Sequence, residues 1–281
     1  MRRRRLPLTG RQVLITGGGS GLGRRMALLA AARGARVRVW DLDLGGAEGT
    51  CEQILATGGA ASADAVDVSD EAAVQAAAEK AGPVDVLVNN AGIVSGGALL
   101  ENSSSQVRRT FAVNVLALYW TTRALLPGML ERGTGTVVNL ASAAGLAGVA
   151  RQTDYSASKH AVVGFTESLR AELRTAGVNG VRTLLVCPYY VDTGMFAGVR
   201  TKFPRLLPIL QEEKVARAVL DAVEAGREQY ITPLLARLVP IGRVLPVRAF
   251  DAMMDFFGIN QTMDHFTGQA GRQPITPDAP R

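Results

Sequence analysis

The sequence predicts one α/β domain in which a parallel sheet carries helices on both faces. Short apolar segments alternate with longer helical stretches along the 281 residues, and strands that alternate with helices pair in parallel through right-handed crossovers. The short segments are apolar almost throughout, as expected for strands that are covered on both faces. With a hydrophobic fraction of 47%, the chain can fill the core of one large domain and does not require a second one.

The predicted elements follow one another without an internal repeat or a linker. Strands are predicted at Gln12–Thr16, Arg36–Asp41, 63–67, 84–89, 136–140 and 181–187, and the start of a seventh at 229–231. Helices are predicted at 22–33, 43–57, Glu71–Ala81, 106–132 and 156–175. We expect helix 106–132 to break near Pro127 and Gly128, because proline removes a helical hydrogen bond. This order predicts a doubly wound sheet followed by an apolar C-terminal extension.

The two ends of the chain differ in composition from the body. Arginines at positions 2–5 open a basic arm over residues 1–10, which we expect to be a disordered, solvated start. Residues 268–281 are rich in Pro, Gly and Gln and are expected to form a disordered tail. The net charge is +6, but no helix-turn-helix signature, zinc-ligand cluster or aromatic-interleaved basic stripe follows the arm, so we do not expect nucleic-acid binding.

Cysteine usage and hydropathy indicate a cytoplasmic protein. Cys51 and Cys187 are far apart in the sequence and do not suggest a disulfide framework. No uninterrupted apolar run reaches about 18 residues, so we expect no membrane-spanning helix. His160 and His265 lie far apart without companion ligands, and we therefore expect no metal site.

A glycine-rich turn joins the first predicted strand to the first helix. Glycines at this place permit a tight turn and let backbone N–H groups approach a pyrophosphate at the N-terminus of the helix. A P-loop is excluded, because Arg24 and Arg25 stand where lysine and then Ser or Thr are needed. We predict that a dinucleotide binds at Gly17, Gly19, Ser20, Gly21, Leu22 and Gly23.

A carboxylate at the end of the second strand favours NAD as the dinucleotide. Asp41 can accept hydrogen bonds from the adenosine ribose hydroxyls and would repel a 2′-phosphate. The alternative is NADP, whose phosphate could be bound by Arg24, Arg25 or Arg38, all near in sequence. NAD is the cofactor we predict, and NADP is the less favoured one.

Two further strand ends are predicted to reach the same crevice. Ligands of open parallel sheets bind beyond the carboxyl ends of the strands. Asp67 and Val68 close the third strand, where the adenine is expected. The fourth strand is closed by Asn89, Asn90, Ala91 and Gly92.

A tyrosine and a lysine form the candidate reaction centre. Tyr155 and Lys159 are spaced i, i+4 at the start of a helix, which places them on one face. A phenol with an ordinary pKa of about 10 is no base at neutral pH, whereas an adjacent ammonium and the positive nicotinamide ring of bound NAD would favour the phenolate. The Ser142 hydroxyl could hold the substrate oxygen, and Asn114 could relay a water molecule toward Lys159.

These motifs together resemble the short-chain dehydrogenase/reductase family in their order and spacing over residues 10–235. The resemblance implies a Rossmann fold and a tetrad of Asn114, Ser142, Tyr155 and Lys159. It also implies that Tyr155 takes the alcohol proton while hydride passes to NAD, and donates it in the reverse direction. Tyr155 and Lys159 are then cofactor contacts as well, together with Pro188, Val191 and Thr193 after the sixth strand.

Shorter motifs resemble the retinol dehydrogenase and 17β-hydroxysteroid dehydrogenase branch, which acts on lipophilic alcohols. Tyr189 stands where the family more often has glycine, as part of this resemblance. The other matching segments are 39–41, 119–122, 193–196, 203–208 and 263–268. Animal members carry an N-terminal hydrophobic anchor that is missing here, so their membrane residence is not expected to carry over. The family also implies a homodimer or homotetramer formed through helices 106–132 and 156–175.

The predicted substrate side is apolar. Residues 194–212 are expected to form a loop and short helices over the substrate, where their apolar side chains either form a lid over a lipophilic alcohol or carbonyl compound or pack on the core. The C-terminal extension, at about residues 232–267, interleaves arginines with apolar residues. We expect its apolar stretch to cover the pocket or a subunit interface; peripheral contact with a membrane is the second interpretation.

Two other functions remain open at this point. The same chemistry fits a reductase of another carbonyl, such as a ketoacyl thioester. A non-catalytic NAD-binding regulator or scaffold has no need of Tyr155 and Lys159 together, so the tetrad argues against it.

Overall fold

Seven parallel strands form the main sheet of the computed structural model, which describes residues 6–268. Their order is β3-β2-β1-β4-β5-β6-β9, so the chain reverses direction across the sheet between β1 and β4. The carboxyl ends of these two neighbouring strands diverge into helices on opposite faces and leave a crevice between them. The strands are β1 (Gln12–Thr16), β2 (Arg36–Asp41), β3 (Ala60–Ala65), β4 (Val86–Asn89), β5 (Gly135–Leu140), β6 (Val181–Pro188) and β9 (Gln229–Thr232).

The helices separate into two layers. One core cluster joins α1, α2 and α7 to side chains such as Val13 and Ile15 on one face of the sheet. A second cluster joins α3, α5 and α6 to Leu14 and Leu87 on the other face, as the alternation of side chains along a strand requires. These helices are α1 (Gly21–Ala32), α2 (Leu44–Ala56), α3 (Glu71–Ala81), α4 (Ser104–Phe111), α5 (Ala117–Glu131), α6 (Thr153–Thr175) and α7 (Glu212–Glu224).

The region after α6 also contains two short strands and the C-terminal helices. β7 (Val191–Asp192) pairs with β8 (Leu210–Gln211), apart from the main sheet. The extension adds a 3₁₀ turn at Leu234–Leu238, followed by α8 (Val239–Gly242), α9 (Val247–Phe256) and a 3₁₀ turn at Ile259–Gln261. None of the helices described between residues 6 and 268 is long and apolar enough to cross a bilayer.

A buried polar chain attaches two helices to the centre of the sheet. Asn89 and Asn139 are neighbours across β4 and β5, and Asn89 Nδ2 donates to Asn139 Oδ1 at 2.9 Å. Thr121 of α5 donates to Asn89 Oδ1 at 2.7 Å, and Asn139 Nδ2 donates to Thr166 of α6 at 3.0 Å. Because buried polar groups are costly when unpaired, this chain fixes the height of α5 and α6 along the strands.

Several predicted boundaries are corrected by the structure. β3 ends at Ala65, two residues before Asp67, because Asp67 turns the chain by accepting from the backbone N–H of Ser69 at 2.9 Å. Pro127 lies inside α5 and does not end it. The irregular turn lies upstream instead, as a π-helical turn at Ala112–Leu116 that contains Asn114.

Two predicted segments also differ from expectation. Residues 193–209 form turns without a helix, because Gly194 and Gly198 adopt positive φ values and Pro204 and Pro208 interrupt the segment. Residues 6–10 of the predicted arm are packed against α7: the Leu6 N–H donates to Glu224 O at 2.8 Å, and Leu8 is buried. The arginines at 2–5 and tail residues 269–281 lie outside the described residues.

We predict that Gly23→Ala destabilises the fold by about 2 kcal/mol or more, as overpacking of a closed contact does. A Cβ at Gly23 would overlap the carbonyl oxygen of Gly17 and lie 2.5 Å from Asn90 Nδ2. Gly49→Ala in α2 is the matched control, because its Cβ would meet nothing within 4 Å, and alanine should stabilise that helix by up to about 1 kcal/mol. Urea unfolding measures both; equal stability of the two variants would contradict the close packing at Gly23.

Candidate active site

One cavity of about 1560 Å³ lies at the carboxyl ends of the central strands. It brings together most of the residues that the sequence singled out, from segments more than 170 positions apart. The predicted residues that line it are Gly17, Ser20, Gly21, Leu22, Asp41, Asp67, Val68, Asn90, Ala91, Gly92, Ser142, Tyr155, Lys159, Pro188, Val191 and Thr193. Gly19, Gly23, Asn89 and Asn114 do not line the cavity.

The glycine turn forms a cradle between β1 and α1. Gly17 adopts φ +64° and Gly21 φ +49°, a backbone conformation that favours glycine. A Cβ at Gly17 would lie 2.9 Å from the Ala91 Cα, so the two strand ends approach each other as closely as their backbones allow. The Ser20 side chain does not cap α1, which leaves N–H groups of the first turn available for an anion. This cradle fits the pyrophosphate of a dinucleotide.

Residues directly after β4 hold the glycine turn in place. Asn90 Nδ2 donates to the carbonyl oxygens of Thr16 at 3.0 Å and Gly17 at 3.1 Å. In return, Thr16 Oγ1 accepts from the backbone N–H groups of Asn90 at 3.1 Å and Ala91 at 3.0 Å. Four hydrogen bonds therefore connect the carboxyl end of β1 to that of β4.

Asp41 presents its carboxylate to the same cavity from the end of β2. Its Oδ2 accepts from the Gly19 N–H at 2.8 Å, and its Oδ1 accepts from the Asp43 N–H at 3.0 Å. Arg25 is bound to Glu212 at 3.0 Å, and Arg38 donates to the Lys80 carbonyl at 2.9 Å. Two of the three arginines considered as phosphate ligands are therefore engaged elsewhere.

Tyr155 and Lys159 lie in the first two turns of α6, and both are 5% exposed. Lys159 Nζ donates to the Leu140 carbonyl at the end of β5 at 2.8 Å and lies 5.6 Å from the centre of the Tyr155 ring. Ser142 follows β5, and its Oγ accepts from the Ala144 N–H at 3.1 Å. The ring of Phe196 packs edge-on against Tyr155 at 5.7 Å.

Burial shifts the pKa of each group in the direction that favours its neutral form. It raises the pKa of the Tyr155 phenol well above its usual value, and a hydrogen bond with Ser142 opposes that shift. Burial also lowers the pKa of the Lys159 ammonium to about 8. The protein alone therefore keeps Tyr155 protonated at neutral pH, so the predicted phenolate depends on the positive nicotinamide ring as well as on the ammonium.

Asn114 lies behind the cavity wall in the π-helical turn. Its Oδ1 accepts from the Ile93 N–H at 2.8 Å, and its Nδ2 donates to Ser158 Oγ at 3.0 Å. Gly92 separates it from the lysine: a Cβ at Gly92 would lie 3.3 Å from Asn114 Oδ1 and 3.5 Å from Lys159 Nζ. Both polar groups flank the same small residue, where a water molecule could bridge them.

Another part of the cavity lining is apolar and comes mostly from the C-terminal extension, with a contribution from the 194–212 segment. Phe196 and Leu207 are apolar residues of the predicted lid at 194–212, whereas the sequence predicts only an apolar cover for the C-terminal extension, because no local pattern distinguishes its cavity residues from core residues. Residues that line this part include Phe196, Leu207, Leu235, Ala236, Leu238, Val239, Met253, Met254, Phe257 and Ile259. Gln152, Tyr190 and Arg109 also line the cavity, and the sequence analysis did not predict them. Only Gln152 could have been suspected from the sequence, because it lies three residues before Tyr155. The described residues contain no cluster of three or more metal-ligating side chains.

Comparison with known proteins identifies the family of the chain. The family model described as short chain dehydrogenase matches residues 11–203. Epidermal retinol dehydrogenase 2 from Mus musculus is 38% identical over 269 residues, which cover 93% of this chain and 87% of the relative.

Two solved structures share the fold. A short-chain dehydrogenase/reductase from Burkholderia phymatum in complex with NAD has a TM-score of 0.77 and 32% identity, over 85% of this chain and 95% of that one. A putative NAD(P)-dependent gluconate 5-dehydrogenase from Beutenbergia cavernae with bound NADP has a TM-score of 0.69 and 32% identity, over 80% and 94%. The chain belongs to the short-chain dehydrogenase/reductase family and is an oxidoreductase that interconverts CH–OH and carbonyl groups with a nicotinamide cofactor.

Proposed function

We propose that this enzyme uses NAD to interconvert a lipophilic alcohol, of retinoid or steroid size, and its carbonyl compound. The observation that carries the proposal is that one cavity has two kinds of lining. The glycine turn and the Asp41 carboxylate line its polar part, residues of the C-terminal extension line its apolar part, and Tyr155 lines the same cavity. The relatives named as retinol dehydrogenases support the same substrate class.

The proposed chemistry assigns a separate role to each polar group. When bound at the glycine turn and Asp41, NAD would supply the hydride acceptor and a positive charge in the cavity. The Ser142 hydroxyl holds the substrate oxygen, and Tyr155 Oη takes the hydroxyl proton as the general base. Lys159 stabilises the phenolate that the loaded site requires, and Asn114 supports a water molecule next to Lys159. In the reductive direction, Tyr155 returns the proton to the carbonyl oxygen.

The preference for NAD follows from the fixed position of Asp41. Its two backbone hydrogen bonds hold the carboxylate at the end of β2, where a ribose hydroxyl would be a favourable donor. A 2′-phosphate at the same place would face a like charge in a partly buried site. The cofactor contacts proposed for Gly19, Gly23 and Asn89 are indirect, since these residues shape the turn or the sheet behind the cavity wall.

We also propose that the outer surface of the C-terminal extension binds an anionic membrane. Exposed apolar residues lie beside exposed cations there, and Leu238 belongs both to this surface and to the cavity wall, which gives an apolar substrate a continuous path. The exposed apolar residues are Leu234, Leu238, Ile241, Val244, Leu245, Val247 and Phe256. The exposed basic residues Arg237, Arg243 and Arg248 of the extension, together with Lys202, whose Nζ lies 5.6 Å from the centre of the Phe256 ring, outnumber the exposed Asp251, Asp255 and Asp264 by one, which favours anionic lipid.

Self-association is proposed through a different surface. Leu116 and Tyr119 expose apolar side chains at the start of α5 and before it, and Tyr119 packs edge-on against Phe165 of α6 at 4.7 Å. These two helices therefore present a shared apolar face that a homodimer or homotetramer would cover.

We expect Tyr155→Phe to lower kcat for alcohol oxidation by about 10³-fold or more, because the general base is lost. The ring and its contact with Phe196 are retained, so the Kd for NAD, measured by tryptophan fluorescence quenching, should stay within about threefold. Turnover that survives the substitution would remove Tyr155 from the reaction.

Asp41→Asn is expected to reduce the preference for NAD over NADP, measured as the ratio of kcat/KM values, by about tenfold or more, equivalent to about 1.4 kcal/mol. The neutral amide no longer repels the 2′-phosphate. Asp43→Asn is the comparison, because that carboxylate caps α2 at Gly46 and should change the ratio much less. An unchanged ratio for Asp41→Asn would mean that cofactor choice lies elsewhere.

Val244→Asp should weaken binding to vesicles of phosphatidylglycerol and phosphatidylcholine by about tenfold, because it places a charge in an 84% exposed position of the proposed membrane surface. Leu100→Asp is the control: Leu100 is equally prominent at 97% exposed but lies outside that surface. Co-sedimentation measures binding. Equal binding by both variants, or a Val244→Asp effect on dimer mass alone in sedimentation equilibrium, would contradict membrane contact.

A further inference from the structure

Three buried polar side chains form a continuous hydrogen-bonded chain from the start of α6 to the C-terminal segment. Gln152 Nε2 donates to the Tyr190 hydroxyl at 3.1 Å, and the hydroxyl oxygens of Tyr190 and Thr262 are 2.8 Å apart. Thr262 Oγ1 donates its only proton to the Ile259 carbonyl at 2.8 Å. With that proton used, Tyr190 donates to Thr262 and accepts from Gln152, whereas Gln152 Oε1 has no hydrogen-bond partner among the described residues.

The chain ends at the turn that precedes Tyr155. Gln152 is the N-cap of α6, and its carbonyl oxygen accepts from the Ser156 N–H at 2.7 Å. The residue before it, Arg151, has φ +61° and is the one non-glycine residue with positive φ among residues 6–268. Such a conformation costs about 1 kcal/mol or more and persists only where surrounding contacts hold it.

The same C-terminal segment supplies two further contacts to this turn. The Ala150 N–H donates to Asn260 Oδ1 at 3.4 Å, and Arg151 Nε lies 3.5 Å from Asp264 Oδ1. Both of these contacts are long and exposed, and an exposed ion pair contributes little. Gln152, Tyr190 and Thr262 are each less than a tenth exposed, so the buried chain is the stronger connection.

Tyr190 also contacts the aromatic ring that packs against Tyr155. Its ring packs edge-on against Phe196 at 5.0 Å, and Phe196 packs edge-on against Tyr155 at 5.7 Å. One tyrosine therefore contacts both the side chain that anchors the backbone before Tyr155 and the aromatic ring that lies against it.

We propose that Tyr190, through its hydrogen bonds to Gln152 and Thr262, is a positioning residue that lets the C-terminal segment hold Tyr155 in place. The proposal rests on the acid/base role of Tyr155 proposed above. Loss of the Tyr190 hydroxyl leaves the Gln152 amide and the Thr262 hydroxyl with one partner fewer in a buried site. The first turn of α6 is then free to shift relative to Ser142, and the proton transfer slows while substrate binding in the apolar part of the cavity is retained.

The test compares full-length variants with saturating NAD and all-trans-retinol as the substrate probe. Tyr190→Phe and Thr262→Val should each lower kcat by about tenfold or more, because small displacements of a reacting group are costly, with KM within about twofold. Thr262→Ser keeps the hydroxyl and should restore kcat. The double variant should lose no more than either single variant, since both break one chain.

Thr183→Val is the matched control. Thr183 is also buried, at 2% exposed, but its hydroxyl has no hydrogen-bond partner among the described residues. The variant should therefore keep both kcat and the amide hydrogen exchange of residues 149–156. In Tyr190→Phe and Thr262→Val, exchange across residues 149–156 should become faster.

The exchange readout separates this proposal from the proposed function. Faster exchange in the two chain variants, with no retinol oxidation by the unaltered enzyme, would support the anchoring of the turn and reject retinol as a substrate. Exchange and kcat equal to those of Thr183→Val would overturn the proposal. A fall in kcat that Thr262→Ser fails to restore would also overturn it, because the hydroxyl would then not be the group that matters.

Discussion

The four hydrogen bonds that join the Thr16–Gly17 segment to Asn90 and Ala91 are the constraint on which the site depends. They join the carboxyl ends of β1 and β4, the two strands between which the chain reverses direction across the sheet. With these ends fixed, the Gly17 turn is pressed against Ala91, and α1 must start with its N-terminus toward the crevice. Gly92 then continues into the space beside Asn114 and Lys159. The cofactor cradle and the reaction centre are therefore both positioned by the joined ends of β1 and β4.

The second half of the site is attached to the same sheet by polar groups that never reach the cavity. Asn89 and Asn139 connect α5 and α6 to β4 and β5, so the height of Tyr155 relative to the glycine turn is set in the core. Lys159 is tied in turn to the Leu140 carbonyl at the end of β5. Tyr155 and Lys159 are buried in this arrangement, and their burial raises the pKa of Tyr155 and lowers that of Lys159. The site is therefore poised for a positively charged cofactor and holds a neutral phenol without one.

The sequence predicts the polar half of the molecule well, because short-range patterns determine it. Alternating strands and helices, the glycine turn and the i, i+4 spacing of Tyr155 and Lys159 are local features, and β1, β2 and α3 have the predicted bounds. The π-helical turn at Asn114 was not predicted, because it depends on the inward hydrogen bonds of Asn114 to Ile93 and Ser158. The continuity of α5 through Pro127 also depends on packing, here against α3 and the sheet, which outweighs the loss of one donor.

For the apolar half of the site, the sequence predicts that the residues are hydrophobic but not which of them line the cavity. Residues 194–212 and the C-terminal extension are hydrophobic in sequence, but which side chains face the cavity depends on tertiary contacts such as those among Tyr190, Gln152 and Thr262, separated by up to 110 positions.

The most direct test of a lipophilic substrate is the rate of NADH formation across a series of alcohols from propan-2-ol to retinol and hydroxysteroids, at equal concentrations. Each buried methylene contributes about 0.8 kcal/mol, or about fourfold, so kcat/KM should rise by orders of magnitude with apolar size. A kcat/KM that is flat across the series, or highest for the short alcohols, would contradict a lipophilic substrate.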